Sequence, residues 1–148
     1  MSLRPHNQTD IKFTVTHGEC NGFMNSRWFI NGVISHESTP TVEGASEINF
    51  VVDLPVEIKI EVWNKNLDTD TAIDSHGNIL KDKFLRVDHV HLARLPIDKQ
   101  LLAQMFEIHT DDGIKNNLYF GFSSTIKFVI EENNAMTWHL KNNHYKVK

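Results

Sequence analysis

The run Val56-Glu57-Ile58-Lys59-Ile60-Glu61-Val62-Trp63 constrains the fold more than any other segment of the chain. Apolar and polar residues alternate along it. Successive side chains of a strand point to opposite faces, so this run has one apolar face and one mostly charged face. The apolar face needs a second layer to cover it. The same alternation recurs in Ile11, Phe13 and Val15; in Ile48, Phe50 and Val52; in Leu118, Phe120 and Phe122; in Ile126, Phe128 and Ile130; and in Met136, Trp138 and Leu140. Eight or so short, half-apolar strands joined by polar loops predict an all-β protein, an antiparallel two-sheet β-sandwich of jelly-roll-like wiring. Phe13, Phe50, Ile58, Ile60, Val62, Phe120 and Phe128 are the expected core.

Three local features refine this reading. Asn31-Gly32, after Trp28-Phe29-Ile30 and before Val33-Ile34, is the dipeptide a type I′ hairpin turn favours. From Phe84 to Leu92 the apolar phase slips, with Leu85 and Val87 on one parity and Val90 and Leu92 on the other. A β-bulge near Asp88-His89 lets all four point inward and turns His89 and His91 outward. One short helix is expected within residues 96–109, with Asp98 as N-cap and Leu101, Leu102, Met105 and Phe106 at helical spacing.

A chain of 148 residues suits one domain. It is placed at 10–148, with 1–9 as a disordered or tag-like N-terminus. The net charge is −4 and the basic residues are scattered, so neither nucleic acid nor a membrane surface is an expected partner. No stretch has the ~18 apolar residues of a membrane span, and the polar N-terminus lacks a signal-peptide core. Cys20 is the only cysteine. It cannot form an internal disulfide, and Glu19 beside it disfavours a reactive thiolate, so it reads as a small buried side chain. The chain reads as soluble and made in a reducing cytosol.

Two constellations carry candidate chemistry. Asp68, Asp70 and Asp74 fall in one loop, with Asn78 and Asp82 close behind. Calcium takes six to eight oxygen ligands, which acidic turns supply. The spacing is not that of an EF-hand, and the alternative is a surface loop with Asx turns and a hairpin corner at Gly77-Asn78. His89-Val90-His91 places two imidazoles on one strand face, about 7 Å apart at Cα, a separation suited to two ligands of a zinc or iron site, with His109 or Asp88 as a third. The alternative is two solvent-facing histidines. Trp63 falls in the polar phase of its strand, where an exposed indole beside Asn64 is a candidate sugar-stacking surface; the alternative is an edge residue covered by the following loop. Trp138 falls in an apolar phase and reads as core. No nucleophile elbow, phosphate loop or facing carboxylate pair is present, so no residue is assigned a catalytic role.

The runs Ile58-Lys59-Ile60-Glu61-Val62-Trp63-Asn64-Lys65, Asp68-Thr69-Asp70-Thr71-Ala72-Ile73-Asp74, Gly77-Asn78-Ile79-Leu80-Lys81-Asp82-Lys83 and Leu85-Arg86-Val87, with the later Leu118-Tyr119-Phe120-Gly121-Phe122, resemble β-rich, uncharacterised proteins of large tailed marine bacteriophages. That resemblance implies a virion component. More faintly, the layout resembles calcium-dependent carbohydrate-binding modules of β-sandwich fold, with Asn64 and residues 68–74 nearest to their asparagine–aspartate calcium motif. The leading expectation is a non-enzymatic phage structural or accessory domain that binds a protein or a surface glycan, with self-association left open and virion residence if the gene is a phage gene. The first alternative is a calcium-dependent carbohydrate-binding module. The second is a small metal-dependent enzyme of double-stranded β-helix type using His89 and His91.

Overall fold

A computed structural model describes residues 7–65 and 69–142. In chain order the elements are β1 (Gln8–Gly18), β2 (Asn25–Ile30), β3 (Val33–Ser38), β4 (Gly44–Asp53), β5 (Val56–Trp63), β6 (Thr71–Ile73), β7 (Ile79–Asp82), β8 (Phe84–Leu92), β9 (Leu95–Pro96), α1 (Lys99–Met105), β10 (Glu107–Thr110), β11 (Gly113–Asn116), β12 (Tyr119–Phe120), β13 (Ser124–Ile130) and α2 (Ala135–Asn142). The first sheet has the order β12-β8-β1-β4, with β9 on β8; the second has the order β11-β10-β13-β5-β2-β3. A separate β6-β7 hairpin lies outside both. The ladders are antiparallel, and the chain passes repeatedly between the two sheets. This is the all-β, jelly-roll-like sandwich that the period-two runs predict. Gln8 and Thr9 already belong to β1, so the strand begins two residues before the expected domain boundary at residue 10.

The core lies between the sheets. Phe13 of β1 is fully buried. Its ring centroid lies 5.0 Å from that of Trp28 on β2, 5.8 Å from Phe128 on β13 and 6.3 Å from Phe106 after α1. One residue of the first sheet thus touches aromatic rings from across the second. Ile58, Ile60, Val62, Phe120 and Phe128 are buried as expected, while Phe50 is half-buried and packs against the cluster.

The local signals are realised. Asn31 and Gly32 take φ of 48° and 84°, and the Asn31 side chain accepts a hydrogen bond from the Glu57 amide (2.8 Å). In the β1–β8 ladder Thr14 faces His89 and Val15 faces Val87, so Asp88 is the extra residue of a bulge. Leu85, Val87, Val90 and Leu92 are all buried.

The helical reading needs two corrections. Helix α1 is short, with Asp98 accepting from the Leu101 amide as N-cap, and the chain is extended again from Glu107. Met136, Trp138 and Leu140 do not form a strand; they lie on a second helix, α2. Asn134 caps it by accepting from the Thr137 amide (3.0 Å). The helix docks through Trp138 and His139, whose Nε2 meets the Leu92 carbonyl (2.7 Å). Trp138 is buried as expected, on different secondary structure.

Phe13→Ala should destabilise the protein by about 3–5 kcal/mol in urea unfolding, the range for emptying a buried aromatic site. A change below ~1 kcal/mol would mean that the aromatic cluster does not join the two sheets.

Candidate functional site

Trp63 closes β5 on the outward face of the second sheet and is 37 % exposed. Its strand neighbour on that face is Asn25. The Arg27 guanidinium lies over its ring, 5.3 Å from the centroid. Glu37 and Glu61 flank this arginine at 3.6 and 3.9 Å, ion pairs longer than hydrogen bonds. Register places Thr125 opposite Glu61, and Arg27, Glu61, Val62, Trp63, Ser124 and Thr125 line an open groove of about 470 Å³. An indole, a guanidinium, a carboxylate and the Thr125 hydroxyl are a set that can stack on a sugar ring and hydrogen-bond its hydroxyl groups; Ser124 has the inward parity of Ile126 and Phe128, and its hydroxyl donates to the Phe122 carbonyl (3.1 Å). Arg27, Ser124 and Thr125 escaped the sequence reading, although Arg27 sits in polar phase between Ser26 and Trp28, which are buried. Asn64, beside Trp63, is exposed, and its side-chain amide donates to the Phe23 carbonyl (3.0 Å).

Among the described residues, the carboxylates of the acidic loop form no group that could hold a metal ion. Asp68 lies outside the described residues. Asp74 is the pivot of a tight turn, accepting from the amides of His76 and Asn78 (both 2.9 Å) and from the Asn78 side chain (3.1 Å). Those hydrogen bonds, led by the Asn78 amide, hold its carboxyl below the usual aspartate range. Together with Gly77 at φ 84°, this is the Asx-turn corner that the sequence offers as the alternative to a cation loop. Asp70 is buried and paired with Lys83, itself buried, at 2.8 Å. Asp82 pairs with the buried Lys65 and accepts from the Thr71 hydroxyl (2.6 Å) and the Tyr119 hydroxyl. Burial pushes the Asp82 carboxyl up, but the hydrogen bonds from Lys65, Thr71 and Tyr119 outweigh it and leave it below its ordinary value. Burial, then the bond to Asp82, drive the Tyr119 hydroxyl well above its own.

His89 and His91 share the outward face of the first sheet, as the bulge requires. His109 belongs to β10 of the other sheet, and Asp88 is taken up by Thr16 and Arg86. Among the described residues no group of three or more His, Cys, Asp or Glu side chains could hold a metal ion. His91 instead borders a groove of about 320 Å³ with Asp10, Lys12, Asn49, Phe50, Val51 and Arg94. Burial, then Lys12 and His89, lower the His91 pKa against an opposing effect of Glu47. Cys20 is buried, with Sγ 3.8 Å from the Thr69 carbonyl.

The fold has solved counterparts. A structure described as vCBM60 in complex with galactobiose is 14 % identical, with 81 % of this chain and 97 % of that chain covered and a TM-score of 0.51. A selenomethionine form of vCBM60, described with a circular permutation linking two families of calcium-dependent carbohydrate-binding modules, is 12 % identical over 85 % of this chain and 97 % of that chain, also at 0.51. No protein-family model and no curated protein matches the sequence. The likeness establishes the β-sandwich fold of carbohydrate-binding modules. The fold thereby raises calcium, and the described carboxylates do not fit it as they stand: Asp70 and Asp82 are engaged by buried ammonium groups and Asp74 by turn amides.

Because Asp82 titrates below its unfolded value, its contribution to stability is present above the unfolded aspartate pKa of ~3.9 and is lost as the pH falls through the folded value. Thermal melts should therefore drop on the acid side of about pH 4, and Asp82→Asn should flatten that limb. An acid limb unchanged in Asp82→Asn would show that Asp82 is not held ionised by its partners.

Proposed function

We propose that this protein is a non-enzymatic carbohydrate-binding module whose ligand is a neutral glycan, bound on the outward face of the second sheet at Trp63. The observation that carries the reading is the half-open indole at the mouth of a polar groove. Sugar rings present apolar C–H faces and hydroxyl edges, and this groove offers an aromatic flank with donors and acceptors around it. The solved neighbours support it: they share the sandwich, and one was determined with galactobiose bound. A module of this kind would suit a virion, where it would attach the particle to a surface glycan.

Calorimetric titration with galactobiose, xylobiose and cellobiose tests the reading. At least one should bind, and Trp63→Ala should weaken it about 2- to 12-fold, as for loss of one aromatic contact worth about 0.5–1.5 kcal/mol. Arg94→Ala, in the groove of the first sheet, should leave the affinity unchanged. Binding lost in Arg94→Ala and kept in Trp63→Ala would move the site to the His91 groove. No binding by any of the three, or by a wider glycan array, would favour a protein partner.

A further inference from the structure

We infer that the ammonium groups of Lys65 and Lys83 do the work of a divalent cation in this module, so that its acidic edge is held closed without calcium. The two lysines cross. Lys65, two residues past the end of β5, reaches Asp82 and the Lys83 carbonyl oxygen (2.7 Å). Lys83, just past β7, reaches Asp70 and the Asn64 carbonyl oxygen (2.8 Å). The Lys83 amide also donates to the Asp70 carbonyl (3.0 Å). These contacts tie the chain flanking the β6-β7 hairpin, at Asp70 and at Asp82–Lys83, to the chain just past β5.

Charge and geometry both favour ammonium here. Two lysines carry the charge of one calcium ion and balance the two aspartates. An ammonium has three donors and is satisfied at about 2.8 Å, whereas calcium needs six to eight oxygens at about 2.3–2.6 Å. The remaining carboxylate capacity is taken: Thr69 Oγ1 and Asn21 Nδ2 lie 3.1 and 3.4 Å from Asp70, and Thr71 and Tyr119 donate to Asp82. Both lysine side chains are nearly inaccessible, at 2 % and 3 % exposure. A calcium ion at these carboxylates would have to expel two buried cations or sit beside them, and either is costly.

The inference is independent of the glycan reading, because calcium alone is the probe. The wild-type protein is melted in chelator and in about 1 mM calcium. A site with a dissociation constant near 10 µM would raise the midpoint by roughly 5–10 °C under those conditions. We expect no shift, and no heat on titrating calcium into chelator-treated protein. A raised midpoint, or calcium binding that Asp70→Asn abolishes, would overturn the inference. In chelator, Lys83→Met should lower the midpoint by on the order of 10 °C, since it removes the ammonium that balances the buried Asp70 carboxylate. Adding Asp70→Asn to that variant should recover part of the loss. A Lys83→Met midpoint equal to wild type would equally overturn it, and if that variant does not fold, the wild-type calcium measurements decide.

Discussion

Everything in this molecule depends on two sheets that each have one apolar face and can bury it only against the other. Phe13 shows how tightly that constraint binds. It belongs to the first sheet, yet its ring lies within 5.0–6.3 Å of aromatic rings on β2, on β13 and after α1. Burial of such apolar surface is the main favourable term in folding. Gly18 marks a further close approach at the end of β1: a Cβ there would lie 2.1 Å from the Phe84 ring. That ring in turn stacks on Tyr119 at 4.7 Å, and so ties the aromatic packing to the Asp82 network.

Once the inward faces are committed to the core, the outward faces are left for function, and the two differ. On the second sheet, charge partners hold Arg27 over Trp63 beside a hydroxyl-bearing groove. Lys59 covers Phe29 nearby, its Nζ 4.3 Å from the ring centroid. On the first sheet, the β8–β9 turn sets Ala93 and Arg94 at φ 52° and 69°, a left-handed conformation costing about 1–2 kcal/mol per residue. That turn places Arg94 at the second groove, which makes this face the natural comparison for any ligand assigned to Trp63.

The sequence makes the sheets legible because a half-buried strand writes its burial directly as period two. Val56–Trp63 and the slipped phase of Leu85, Val87, Val90 and Leu92 specify not only strands but a bulge and the outward side of His89 and His91. The same logic fails at α2. Met136 and Leu140, which suggest alternation with Trp138, are exposed, and the buried set is Ala135, Trp138 and His139 at helical spacing. A buried histidine bonded to a strand carbonyl does not register as core in a pattern of apolar residues. The pairing of the acidic segment is hidden from the sequence for a related reason. Asp70 and Asp82 look like cation ligands because their partners, Lys65 and Lys83, read as surface charge. Only the tertiary fold shows those lysines buried, and the long-range pairing that buries them leaves no periodic trace. Trp63 was legible from its phase, but Thr125 beside it depends on strand order, which the sequence does not encode locally.

The central claim is that a glycan docks on the outward face of the second sheet, at an edge held closed by lysines. An amide and indole NMR titration with the disaccharide panel, run in chelator, tests it most directly. The account predicts saturable shifts at the Trp63 indole N–H and at the amides of Arg27, Ser124 and Thr125, with the signals of β1 and β8 unmoved. Shifts confined to the face that carries His91 and Arg94, or shifts at Trp63 that appear only after calcium is restored, would contradict it.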